Sequence, residues 1–131
     1  MTEKMIGGFN ASDVEYITRS INEASTQYSM AEAELDYCDK KTQDILHEME
    51  LVQHTYHEIA HLANELRDIR KRRRIAKDAI DLLAPLVQWK NEQTVAINKL
   101  SKVLGDMRKI QNKQDSAVYY YRADNAGRMI I

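Results

Sequence analysis

The chain has 131 residues, of which 30% are charged, and it contains 4 Gly and 1 Pro. This composition is typical of a single domain with long helices and argues against strands. The lone cysteine, Cys38, excludes an internal disulfide and indicates a reducing compartment. The sequence shows neither an apolar run long enough to span a membrane nor the features of a signal peptide. We therefore expect a soluble, cytoplasmic protein and no membrane contact.

The apolar residues of the first half follow a seven-residue repeat, split three and four. The repeat consists of Val14, Ile17, Ile21, Ala24, Tyr28, Ala31, Leu35, Cys38, Thr42, Ile45, Met49, Val52, Tyr56, Ile59, Ala63 and Leu66. This spacing keeps one stripe of a helix facing a partner helix over many turns. We therefore predict an all-α fold, either an elongated helical hairpin or a three-helix coiled-coil bundle. Because the stripe is long for so short a chain, we also expect a homo-oligomer.

Two capping boxes indicate where helices begin. Residues 1–11, with Gly7 and Gly8, form a flexible lead, and Ser12 with Glu15 is expected to cap a helical domain over residues 12–115. A second box, Thr55 with Glu58, predicts a break near residues 53–55. The alternative is one unbroken helix over residues 12–83, and the sequence leaves both open.

The repeat changes in the second half of the chain. After Leu66 the next position of the repeat comes three residues later instead of four. The repeat then runs through Ile69, Arg73, Ala76, Ile80, Leu83 and Val87. Pro85 predicts a kink or the start of a new helix. A last helix is expected to use Trp89, Gln93, Ala96, Leu100, Val103, Met107 and Ile110 as its apolar stripe. We expect residues 116–131 to form a tyrosine-rich tail that packs on the bundle or docks into a partner.

The string from His57 to His61 spells H-E-x-x-H, the pattern of zinc peptidases. A peptidase also needs a third ligand, a substrate cleft and usually a sheet edge, and the sequence predicts none of them. We interpret the histidines as part of a solvated helix face. The alternatives are a metal site made of His54, His57 and His61, a surface that charges near pH 6, and, most distantly, a zinc hydrolase using His57, Glu58 and His61.

Charge is distributed unevenly along the chain. Residues 1–66 carry 4 basic and 13 acidic groups, a net charge of −9, and residues 67–131 carry 15 basic and 7 acidic groups, a net charge of +8. Much of the positive charge lies in a basic cluster made of Arg67, Arg70, Lys71, Arg72, Arg73, Arg74 and Lys77. Either the two halves neutralise each other as antiparallel helices, or the cluster contacts phosphate or an acidic protein surface.

We predict that the basic cluster binds a partner together with the tail residues Tyr119, Tyr120, Tyr121 and Arg122, since arginine and tyrosine are favoured at binding hot spots. The predicted function is a non-enzymatic protein-interaction module. The alternative is a nucleic-acid-binding accessory protein that uses the basic helix over residues 67–77. The sequence contains no glycine-rich phosphate loop, paired-cysteine metal motif or nucleophile elbow, so we expect no cofactor, no metal and no catalytic residue.

The segment LRDIRKRRRIAKD at residues 66–78, followed by Ile80, Leu82, Leu83, Pro85, Leu86 and Val87, resembles a segment of small helical proteins of phages and prophages of Gram-positive bacteria. The resemblance covers residues 44–90. It implies a phage accessory protein that binds and modulates, or inhibits, a host or defence protein, and it implies no catalytic residues. The H-E-x-x-H string is a departure from that group.

Overall fold

The computed structural model describes residues 6–120 and 129–130. Three helices follow one another along the chain: α1 (Ala11–Leu51), α2 (Tyr56–Glu92) and α3 (Thr94–Asp115). The predicted all-α class is confirmed. Two short strands, β1 (Tyr119–Tyr120) and β2 (Met129–Ile130), pair antiparallel, a detail that the composition did not predict. None of the described helices has a stretch apolar and long enough to cross a bilayer.

The first helix begins with a cap different from the predicted one. The Asn10 side-chain oxygen accepts a hydrogen bond from the Ser12 backbone amide at 2.9 Å, and the Asp13 carboxylate accepts one from the Asn10 amide at 2.8 Å. The predicted box of Ser12 with Glu15 is therefore wrong, because Asn10 already satisfies the free amides of the first turn. Glu15 instead binds Arg19 and Arg108.

The second capping box is present where the sequence placed it. The Thr55 hydroxyl accepts a hydrogen bond from the Glu58 amide at 3.3 Å, and the Glu58 carboxylate accepts one from the Thr55 amide at 3.4 Å. Because α1 ends at Leu51 and α2 begins at Tyr56, the chain breaks at residues 52–55. The alternative of one unbroken helix over residues 12–83 is wrong.

The chain divides into two compact units, Ser20–Gln93 and Met1–Arg19 with Thr94–Ile131. In the first unit α1 and α2 run antiparallel around a core of Cys38, Ile45, Leu62 and Ile69. The buried residues recur every seventh position on both helices, at 24, 31, 38 and 45 on α1 and at 62, 69 and 76 on α2. Seven-residue spacing keeps the two faces in contact over several turns. Burial also raises the pKa of the Cys38 thiol, so this thiol acts as a small apolar side chain.

The predicted stripe is confirmed for most of α1 and wrong at the start of α2. Tyr56, Ile59 and Ala63 are exposed, whereas Leu62 is buried. The non-helical residues between α1 and α2 reset the phase of the repeat, so a different face of α2 turns inward. Ile17 and Val52 are also exposed.

Pro85 lies inside α2, which continues to Glu92, so no new helix starts at the proline. The chain leaves α2 at Gln93, whose amide donates to the Trp89 carbonyl at 2.9 Å. The second unit packs Ala11 and Val14 of α1 on Leu104 of α3, with Leu100 and Met107 beside them. The expected α3 stripe is therefore only partly correct, because Val103 and Ile110 are exposed.

Replacing Ile45 with Asp should lower the free energy of unfolding by at least about 3 kcal/mol, because the change buries an unpaired charge. Ile45 is 2% exposed, whereas Val52 is 52% exposed, and both belong to the predicted repeat. Val52→Asp is therefore the matched control and should change the free energy of unfolding by less than about 1 kcal/mol. Urea denaturation followed by circular dichroism measures both. Equal destabilisation would contradict the observed inward face of α1.

Candidate functional site

Two members of the basic cluster bind carboxylates of α1. The Arg72 Nε donates to the Glu34 carboxylate at 2.7 Å, and the Arg73 Nε donates to the Asp39 carboxylate at 2.7 Å. The Arg72 guanidinium also lies over the Tyr37 ring, 5.1 Å from its centroid. These contacts match the expectation that antiparallel helices neutralise part of the charge.

The other members of the cluster are Arg67, Arg70, Lys71, Arg74 and Lys77, which we call the basic face. None of them forms a salt bridge with a carboxylate in the described part of the chain. All five are exposed and line an open groove of about 730 Å³ along α2. Five cations of the predicted binding cluster therefore lie together on one groove, whereas Arg72 and Arg73 bind α1.

The cations of the basic face repel one another. Arg67 and Lys71, like Arg70 and Arg74, are four residues apart, and like charges at that spacing destabilise a helix by about 0.2–0.5 kcal/mol per pair. Asp78, Asp81 and the Asp39-bound Arg73 line the same groove, which sets six cations against two carboxylates, a net charge of +4. An anionic partner would relieve this repulsion, so the groove suits a negatively charged surface.

Two of the four tail residues predicted to bind a partner lie in a short strand. Tyr119 and Tyr120 form β1, with Tyr119 paired to Ile130 and Tyr120 to Met129. Tyr121 and Arg122 lie outside the described residues. The candidate site is the basic face of α2.

The H-E-x-x-H string is part of a helix start. The Glu58 carboxylate binds the Thr55 amide and hydroxyl and lies 3.0 Å from the His54 Nδ1. His57 and His61 are exposed on the first turns of α2. Within residues 6–120 and 129–130, no three histidine, cysteine or carboxylate side chains are close enough to hold a metal ion.

His54 links the end of α1 to the start of α2. Its side chain is 8% exposed, and its Nε2 lies 3.9 Å from the Glu48 carboxylate without a hydrogen-bond partner. The Glu58 carboxylate is the main cause that raises the pKa of His54 above its ordinary value, and burial opposes it. His54 thus departs from the predicted solvated face, because the chain break turns its ring inward between two carboxylates.

A row of apolar residues on α2 was missed by the sequence analysis. Ile75 and Leu82 are 71% and 79% exposed, and neither belongs to the predicted stripe. Their spacing is the signal that could have revealed them, because Ile75, Ala79, Leu82, Leu86 and Trp89 alternate steps of four and three. The predicted stripe through Ile80, Leu83 and Val87 obscured this second row.

The chain was compared with protein-family models, with curated proteins and with solved structures, and nothing matches it in any of the three. The candidate site therefore rests on the charges and contacts of the described residues.

His54 makes the stability of the unit Ser20–Gln93 dependent on pH. Because folding raises the pKa of His54, its stabilising effect is fully present below the unfolded pKa, about 6.5, and is lost as pH rises through the folded pKa. The free energy of unfolding should therefore fall as pH rises from below about 6.5 through the folded pKa. Urea denaturation across this range should show a smaller fall for His54→Gln.

His47→Gln is the control, since His47 is exposed. This variant should keep the pH dependence of the parent chain. A His54→Gln variant with the parent's full pH dependence would contradict the role of His54.

Proposed function

We propose that this chain is a non-enzymatic protein-interaction module whose basic face binds an acidic surface of another protein. The observation that carries the proposal is the set of exposed cations on α2 that no described carboxylate neutralises. Arginine suits this role because its planar guanidinium binds carboxylates through two parallel hydrogen bonds. The neighbouring pairs of Arg72 with Glu34 and Arg73 with Asp39 hold α2 against α1, so the face is presented on a braced helix.

The two carboxylates of the groove favour a protein over a nucleic acid. Asp78 and Asp81 lie among the cations of the basic face. A phosphate backbone carries uniform negative charge, so it would be repelled by both aspartates. A protein surface can place a lysine or arginine opposite them while its own carboxylates bind the arginines.

Nucleic-acid binding is the second candidate function. Its support is the concentration of cations over residues 67–77, about 15 Å of helix, within reach of several phosphates. The cations of the groove could bind either an acidic protein surface or the phosphates of a nucleic acid. The sensitivity of binding to salt and to nuclease distinguishes these two partners.

The resemblance of residues 44–90 to phage and prophage proteins adds a setting to the proposal. In that setting the chain is a cytoplasmic accessory protein, and the acidic surface belongs to a host or defence protein that it modulates or inhibits. Occupation of an acidic surface would then exclude that protein's own basic or nucleic-acid partner.

The test is affinity purification from the native cell with the full chain as bait. The variant Arg70→Gln, Arg74→Gln and Lys77→Gln removes three unpaired cations and should weaken capture of the partner at least tenfold, about 1.4 kcal/mol. Its helical content should stay nearly unchanged, because these side chains make no described salt bridge.

Two further arms make the outcome decisive. Arg72→Gln is the matched control, and it should retain capture while losing stability, because Arg72 binds α1 and does not line the groove. Nuclease treatment of the lysate should leave capture intact, and its loss would favour the nucleic-acid alternative. Unchanged capture by the triple variant would remove the basic face from the interface.

A further inference from the structure

Helix α2 carries a second apolar row beside its contact with α1, where Ile75 and Ala79 line a groove together with Met30 and Ala31 of α1. The outer row consists of Ile75, Ala79, Leu82, Leu86 and Trp89. Leu82 and Ile75 are the most exposed of these, and Leu86 and Trp89 are 39% and 45% exposed. The inner contact uses different residues, with Leu62, Ile69 and Ala76 buried. α1 borders the outer row at Ile75 and Ala79 but leaves the large side chains of Ile75, Leu82, Leu86 and Trp89 exposed.

The outer row has the geometry of a helix-pairing seam. Steps of four, three, four and three residues place all five side chains on one stripe, as at the a and d positions of a coiled coil. The stripe spans about 21 Å at 1.5 Å per residue. Large side chains exposed along such a stripe are a docking surface for another helix.

We propose that the outer row binds the outer row of a second copy of this chain, with the two α2 helices antiparallel. In that register Ile75 packs against Leu86 of the second copy, and Ala79 packs against Leu82 of the second copy. The two-fold axis repeats these contacts, so each copy uses the same residues to bind the other. This surface adjoins the basic face at Ile75 and Lys71, but the pairing of the apolar rows does not require the proposed acidic partner.

Charge complementarity selects a second antiparallel copy. Lys71 and Glu92 flank opposite ends of the outer row, so antiparallel pairing sets Lys71 of each copy opposite Glu92 of the other. Parallel pairing would instead set Arg72, which continues the row toward the N-terminus, against Arg72 of the second copy. Like charges at facing seam positions oppose that arrangement.

Sedimentation equilibrium of the full chain tests the proposal. A dimer is expected at tens of micromolar, and Leu82→Glu should weaken its dissociation constant at least 100-fold, about 2.8 kcal/mol. Leu46→Glu is the matched control, because Leu46 is 42% exposed on α1 outside the outer row, and it should leave the dimer intact. A monomeric parent chain, or an equal loss with Leu46→Glu, would overturn the proposal.

Cysteine cross-linking tests the orientation without placing a charge in the seam. The double variant Ile75→Cys and Leu86→Cys should form a disulfide-linked dimer on mild oxidation. The two positions of one chain are about 16 Å apart along α2, too far for an internal bridge. Cys38 is fully buried and does not compete. Ile75→Cys alone should remain uncross-linked, and cross-linking of that single variant would overturn antiparallel pairing.

Discussion

The antiparallel contact between α1 and α2 determines which way the side chains of α2 point. Leu62, Ile69 and Ala76 are turned toward α1, and α1 supplies Cys38 and Ile45 to the same contact. Each residue of a helix is rotated by about 100° from the one before it. Once this inner row is buried, the basic face and the outer row must lie on other sides of the same helix.

The same contact determines which arginines of α2 can reach the carboxylates of α1. Arg72 and Arg73 reach Glu34 and Asp39 on α1, whereas Arg70 and Arg74 are exposed and form no salt bridge within the described residues. The uneven charge of the sequence thus has two consequences at once. Part of the positive charge binds α2 to α1, and the rest forms an exposed basic surface on α2.

The connection between α1 and α2 gives the H-E-x-x-H string a part in capping a helix. Glu58 accepts hydrogen bonds from Thr55 and His54, so its carboxylate closes the first turn of α2. His54 is enclosed because it lies in the non-helical segment between the two helices. Glu58 of the H-E-x-x-H string thus caps α2 and binds His54 in the segment that connects α2 to α1.

The sequence by itself determined the helical class, the apolar repeat of α1 and the capping box at Thr55, because each depends on residues close together in the chain. It could not determine which apolar stripe of α2 is buried, since Ile59, Leu62 and Ile75 each belong to a plausible row and only α1 selects among them. It also could not separate Arg72 and Arg73 from the unpaired arginines, or foresee that Asn10 caps α1 and that α2 continues through Pro85. Periodicity shows which residues share one side of a helix, but it does not show which side is buried. The helix that packs against it decides that.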